Sequence, residues 1–143
     1  MVEFKANISS SDGKTYSLPV WGNYANSLIG KKIGDEVDGL FVGLPGYKLQ
    51  ITGGSDSSGF PMRKDVRGSK RTRVLLSAST GFHPDKDGLR KKVSIRGNTI
   101  STDIAQINLK IIAKGPHPIE ALVEEAKKRY EAEKEKKEEK PKK

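Results

Sequence analysis

The chain has 143 residues, 34% hydrophobic and 31% charged, which suits one ordinary domain with an appendage and leaves too little apolar material for two independent cores. It has no cysteine, which excludes disulfides, thiolate catalysis and cysteine-based zinc sites and agrees with a reducing or a hot compartment. The net charge of +9 makes a polyanion the expected partner, nucleic acid first and an anionic membrane surface second. Against a membrane, Met1-Val2-Glu3-Phe4-Lys5 lacks the apolar run of a signal peptide and no stretch approaches a membrane span, so a soluble intracellular protein is expected.

Residues 1–20 read as a β-hairpin. Glu3 to Ile8 alternates polar and apolar, Ser9 to Gly13 supplies turn chemistry through Asp12-Gly13, and Thr15 to Val20 alternates back. Gly13-Lys14-Thr15 imitates the end of a phosphate-binding loop, but position 8 is Ile where that pattern needs Gly, and no helix signal follows. It is expected to be the hairpin turn. Trp21 to Lys32 is expected to be irregular, and Ile33 to Gly39 is broken by glycine. Tyr47 to Thr52 is a period-2 strand, and Gly53 to Gly59 follows as a glycine-rich loop whose spacing misses the dinucleotide fingerprint. Arg73 to Ser77 is a short strand, buried by composition. Lys92 to Arg96 and Ala105 to Ala113 are two more, the second rich in β-branched residues. Six or so short strands, with fifteen glycines for tight corners, predict a mainly β fold: a small antiparallel β-barrel over residues 1–115.

Gly115-Pro116-His117-Pro118 punctuates the chain, and Pro118 suits a first helical position, so residues 116–143 are expected to hold a C-terminal α-helix and a tail. Ile119, Leu122, Val123, Ala126 and Tyr130 make an apolar stripe of about three turns that should dock on the barrel. Beyond Tyr130 the sequence turns to Glu/Lys repeats. The pairs Glu124–Lys128, Glu125–Arg129 and Glu133–Lys137 stand in the favourable order. The second half should be solvated or frayed, with Pro141 and two lysines trailing.

The positive charge is concentrated. Residues 63–96 hold eleven Lys and Arg against Asp65, Asp85 and Asp87, whereas residues 1–62 are slightly acidic. Six of the eleven are Arg, whose planar fork grips phosphate bidentately and stacks on bases. A solvated charged loop is the plain alternative. Two features favour polyanion binding instead: the cations are unmatched by acids, and they bracket Val74-Leu75-Leu76, which can pin them to a rigid face.

Catalytic and metal-binding readings find little support. Asp35, Glu36 and Asp38, and Asp85 with Asp87, lack the pattern of a calcium loop and sit in turns, where Asp serves the backbone. His83 and His117 each precede a proline and have no evident metal or triad partners. Asn7-Ile8-Ser9 matches a glycosylation acceptor, without meaning where no export is expected. No catalytic residue, metal or cofactor is therefore expected. An RNA-processing enzyme would need Asp35, Asp38 and His83 to converge in space.

The stretch Leu49 to Met62, with Thr52-Gly53-Gly54-Ser55-Asp56 and then Gly59-Phe60-Pro61-Met62 before Arg63, resembles the signature of the S-six-e family of ribosomal proteins, the archaeal/eukaryotic type of small-subunit protein six and distinct from its bacterial namesake. The resemblance continues through Arg71 to Ser77, Lys91 to Gly97 and Ile107-Asn108-Leu109, and covers roughly residues 1–115. It implies a structural constituent of the small ribosomal subunit, cytoplasmic, bound to small-subunit ribosomal RNA and neighbouring ribosomal proteins. It implies no membrane, no small-molecule substrate and no obligate homo-oligomer. The expected RNA contacts are Arg63, Lys64, Arg67, Lys70, Arg71, Arg73, Arg90, Lys91, Lys92 and Arg96. Gly53, Gly54 and Gly59 are expected to let the backbone approach RNA with exposed N–H groups.

Phe60 and Met62 should anchor that loop in the core. Recognition should be of RNA shape and backbone, because Phe82 is the one aromatic in residues 63–96. Arg67 to Lys70 and Phe82 to Leu89 are expected to be ordered by RNA. Eukaryotic members carry a C-terminal tail of phosphorylated serines; the last serine here is Ser101, so that switch is not expected, and the short Glu/Lys-rich ending looks archaeal. The alternative function is a generic nucleic-acid binder, chromatin-like or an RNA chaperone, which would hold duplex DNA as tightly as ribosomal RNA.

Overall fold

The expected hairpin forms from β1 (Glu3–Ser9) and β2 (Thr15–Trp21), paired antiparallel from Glu3↔Trp21 to Ser9↔Thr15. The computed structural model describes residues 2–138, with side chains to residue 136. Pro141 with its lysines, and the Glu133–Lys137 pairing, lie outside the described residues. Period-2 alternation works as read: Phe4, Ala6 and Ile8 of β1, and Leu18 and Val20 of β2, are all buried. Pro19 cannot donate to a ladder, and β2 lies at the edge of its sheet, where that lack is tolerated.

The stretch expected to be irregular contains a short helix, α1 (Gly22–Leu28), which buries Ala25 and Leu28 one turn apart. Then come β3 (Glu36–Asp38) and a 3₁₀ turn over Gly39–Val42. The next strand, β4 (Lys48–Asp56), runs four residues past the expected end at Thr52. The loop expected over 53–59 is thus overturned in its first half: Gly53 and Gly54 pair with Asn108 and Ile107 of β7 (Ile104–Ala113). A Cβ on Gly54 would lie 2.3 Å from the Gln106 carbonyl oxygen and 3.2 Å from the Met62 sulfur. Glycine stands there for close packing within the fold, and a ladder irregularity on each side adjusts the strand around it.

Five strands form one sheet in the order β2-β1-β7-β4-β3, and β5 (Arg71–Leu76) with β6 (Lys91–Arg96) forms a separate two-stranded sheet. The expectation of a closed antiparallel barrel of about six strands is corrected in three respects. There are seven strands among the described residues, the large sheet is a curled half-barrel with open edges at β2 and β3, and β1 pairs with β7 in parallel. Registers Ala6↔Ile107, Ile8↔Leu109 and Leu49↔Ile111 bring the inward residues of three strands together. Val37, Leu44, Tyr47, Met62, Ile100 and Val123 complete one core with Leu28.

After the Gly115-Pro116 break comes α2 (Ile119–Glu138). Its stripe docks as expected: Val123 is buried, and Ile119, Leu122, Ala126 and Tyr130 are partly covered, while residues 131–136 are exposed. Of the expected helical pairs, Glu125–Arg129 closes at 3.7 Å, and Glu124–Lys128 is not among the ion pairs of the described residues. Two further contacts hold the helix. The Tyr130 ring meets Trp21 edge-on at 4.8 Å while its hydroxyl donates to Glu3, and the Trp21 indole N–H donates to Glu133.

Candidate nucleic-acid interface

The basic segment builds an arm beside the large sheet. β5 and β6 pair antiparallel from Arg71↔Arg96 to Leu76↔Lys91, which places Arg71, Arg73 and Leu75 on the same face as Lys92, Ser94 and Arg96. The other face carries Leu76 and Ile95, both buried. The strand expected to be buried by composition is therefore only half so: Leu76 is inside, and Leu75, opposite Lys92 at the end of the cationic face, is 55% exposed. Residues 66–70 lie along the turn after β6. The carbonyls of Val66, Gly68 and Lys70 accept from the N–H groups of Asn98, Thr99 and Gly97, and that of Ser69 accepts from Arg96.

What holds the arm to the sheet is a buried ion cluster that sequence reading missed. The Asp56 side chain, at the end of β4, is wholly buried. Its Oδ1 accepts from the Ser58 and Phe60 N–H groups at 2.9 Å each; its Oδ2 accepts from Arg71 Nε and Nη2 at 3.2 and 2.7 Å and from Arg96 Nε at 3.1 Å. Arg96 also donates to the Ser69 carbonyl at 2.6 Å and to Asp103 at 2.8 Å. Burial alone would raise the Asp56 carboxyl, but the bonds from Arg71, the Phe60 N–H and Arg96 outweigh it and take it from 3.8 to about 2. Arg96 is shifted up, chiefly by its bond to Asp103, with burial opposing. Each buried charge is thus paired and hydrogen-bonded, and the unused donors of Arg71 lie on its exposed side, the condition under which burying ions is tolerable.

The expected contacts fall into two groups. Arg96 is 7% exposed and has all three guanidinium nitrogens bound within the fold, so it is an internal strut. Arg63, its side chain 15% exposed, donates to Ser79 Oγ, the Thr80 carbonyl and Asp65. Arg71 is half in and half out. Lys64, Arg67, Lys70, Arg73, Arg90, Lys91 and Lys92 are exposed, and no carboxylate pairs with any of them among the described residues.

Of the glycines expected to offer N–H groups to phosphate, two are built into β4 and the third has its N–H bound within the fold. Gly53 and Gly54 are strand residues, and the Gly54 carbonyl accepts from Met62 N–H. At the turn, Gly59 takes a left-handed φ of 85° and donates to the Asp56 carbonyl. The N–H groups of Asp56, Ser57, Ser58 and Phe60 are likewise bound internally, to the Phe60 and Asp103 carbonyls and to Asp56 Oδ1. The turn is a knot tied by Asp56. Met62 anchors it in the core as expected, 3% exposed, while Phe60 is only partly covered and carries the Arg71 guanidinium over its ring, 4.4 Å from the centroid.

The decoys at Gly13 and Asp35 resolve as turns, whereas Glu36 and Asp38, also expected in turns, form β3. Lys14 pairs with Glu120 of α2 at 2.7 Å, and Asp35 accepts from the Lys32 N–H at 2.8 Å. Among the described residues no group of His, Asp and Glu could hold a metal ion, and no helix is long and apolar enough to cross a membrane.

A family model described as ribosomal protein S6e matches residues 4–124, which spans the large sheet, the arm and the start of α2. Archaeal proteins named small ribosomal subunit protein eS6 are similar over most of their length. The protein from Methanocella arvoryzae is 45% identical over 130 residues, covering 90% of this chain and 92% of that one. Its counterpart in Methanothermobacter thermautotrophicus is 50% identical over 120 residues, 84% and 94% of the two chains. That in Methanocaldococcus jannaschii is 56% identical over 96 residues, 67% and 73%. On these likenesses the chain belongs to the ribosomal protein S6e family.

Proposed function

We propose that this chain is a structural constituent of the small ribosomal subunit in the cytoplasm and holds small-subunit ribosomal RNA on the exposed cations of the β5–β6 arm and its base. Membership of a ribosomal protein family makes it a structural component and not an enzyme. The observation that carries the RNA reading is the set of seven unpaired cations, Lys64, Arg67, Lys70, Arg73, Arg90, Lys91 and Lys92, on the arm or at its base. Neutralising phosphate frees condensed counterions, and a rigid two-stranded arm presents its charges at fixed spacing to do so. Recognition is of backbone and shape, with neighbouring ribosomal proteins as the other partners.

Binding of the full chain to intact small-subunit ribosomal RNA over a salt series, against duplex DNA of similar length, tests this. With Arg73, Lys91 and Lys92 all changed to Gln, the log–log salt slope should flatten by about 2 to 3 units, since each phosphate contact contributes about 0.7 to 0.9. An unchanged slope would move the RNA surface off the arm. Equal affinity of the wild type for DNA would favour a generic nucleic-acid binder.

A further inference from the structure

We propose that Arg71 is a pre-oriented fork that takes a bidentate acceptor of the RNA on the Nη1–Nη2 edge of its guanidinium, and that Asp56 is its positioning residue. The inference rests on the RNA-binding reading above. Nε and Nη2 both donate to Asp56 Oδ2, which engages one edge of the guanidinium. That carboxylate cannot swing after a ligand, because its other oxygen is held by two backbone N–H groups and Oδ2 also takes Arg96. The Phe60 ring beneath the guanidinium fixes its tilt.

What remains is Nη1 and the outer proton of Nη2, with no further acceptor among the described residues, on a side chain that is 41% exposed. Arg73 and Lys92 share its face, so an arriving anion meets more positive charge there. A fork already held in place loses little rotamer freedom on binding, unlike an unanchored Lys or Arg. Two in-line acceptors fit it: a pair of phosphate oxygens, or the O6 and N7 atoms of an unpaired guanine.

The test compares Arg71→Lys and Arg73→Lys in the full chain, binding small-subunit ribosomal RNA. Lys keeps the charge and discards the fork. Arg71→Lys should weaken binding about tenfold with an unchanged salt slope, the loss expected of one bidentate pair. Arg73→Lys should cost less than about twofold, because no anchor holds that side chain. In an Asp56→Asn background, assayed well below its melting temperature, Arg71→Lys should cost less than about threefold, since the fork is no longer held. Transcripts carrying 7-deazaguanine would abolish the Arg71 effect if the acceptor is guanine and preserve it if it is phosphate. Wild-type affinity of Arg71→Lys, with only a lower melting temperature, would make Arg71 a mere strut and overturn the proposal. A full tenfold cost in the Asp56→Asn background would remove Asp56 from it. Loss of RNA preference in the wild type itself would instead bring down the underlying reading.

Discussion

Changing Asp56 to Asn tests whether the buried ion cluster holds the arm to the sheet. The Asn oxygen can still accept from the Ser58 and Phe60 N–H groups, but its amide would turn N–H donors toward Arg71 and Arg96, which are donors themselves. Breaking a buried pair from one side costs about 3–5 kcal/mol. The Arg71 side chain is 41% exposed and recovers part of its hydration, whereas that of Arg96, nearly buried, recovers little, so the low end applies. The displaced carboxyl supports that size: a fall from 3.8 to about 2 corresponds to about 2 kcal/mol at neutral pH. For a domain of this length, a loss of about 3 kcal/mol lowers the melting temperature by about 10 °C.

Circular dichroism would follow the sheets while fluorescence of the one tryptophan, Trp21 against Tyr130 of α2, reports helix docking. The pH dependence has a definite sign. Folding lowers the Asp56 pKa, so its stabilisation is complete above 3.8 and is lost as the pH falls toward 2. The gap between wild type and Asp56→Asn should therefore be widest at neutral pH and narrow by about 2 kcal/mol at pH 2. A shift under about 2 °C, or a gap that stays constant across that range, would mean that water solvates the carboxylate and that other contacts hold the arm.

Adjacent glycines should behave oppositely. Gly53→Ala meets open space and should leave stability within about 1 kcal/mol of wild type, while Gly54→Ala drives a Cβ against the Gln106 backbone and should cost about 3 kcal/mol in urea unfolding. Adjacent leucines on β5 should differ in the same assay: Leu76→Ala should cost about 3 kcal/mol and Leu75→Ser almost nothing, because only Leu76 is buried. Val123→Ala removes two buried methyl groups where α2 enters the core and should cost about 1.6 kcal/mol, with an earlier Trp21 transition if the helix undocks first.

The readable parts of the fold are those where the period is local. β1, β2, the first half of β4, β6, β7 and the stripe of α2 each announce their buried face within a few residues of themselves. α1 did not, because one turn bearing only Ala25 and Leu28 has no period to recognise. Gly53 and Gly54 read as a loop because glycine is a turn residue. What demands Gly54 is the Gln106 backbone, fifty-two positions away in the chain and adjacent only once β7 has paired. The parallel pairing of β1 with β7 is equally nonlocal, and it left a half-barrel where a tally of strands suggested a closed one.

The candidate site was legible as a block of charge and illegible as to which charges face solvent. All three expected contacts that the fold binds internally, Arg63, Arg71 and Arg96, are arginines, while every lysine of the set is exposed. That division has a physical cause. A guanidinium offers five donors in a rigid plane, so Arg96 can satisfy Asp56, Asp103 and the Ser69 carbonyl at once; an ammonium is compact, strongly hydrated and has no fixed fork. Arginine enrichment in a basic segment therefore has two sources, grip on phosphate and internal bracing, and composition cannot separate them. Position relative to acids can: Asp56 and Asp103 stand just outside residues 63–96, where a count confined to the basic block leaves them out. Allowing for the pairs with Asp56, Asp65 and Asp103, eight of the eleven cations have no carboxylate partner among the described residues. Arg71, bound on one edge and open on the other, belongs to both groups, and it is where bracing of the fold and binding of RNA meet in one side chain.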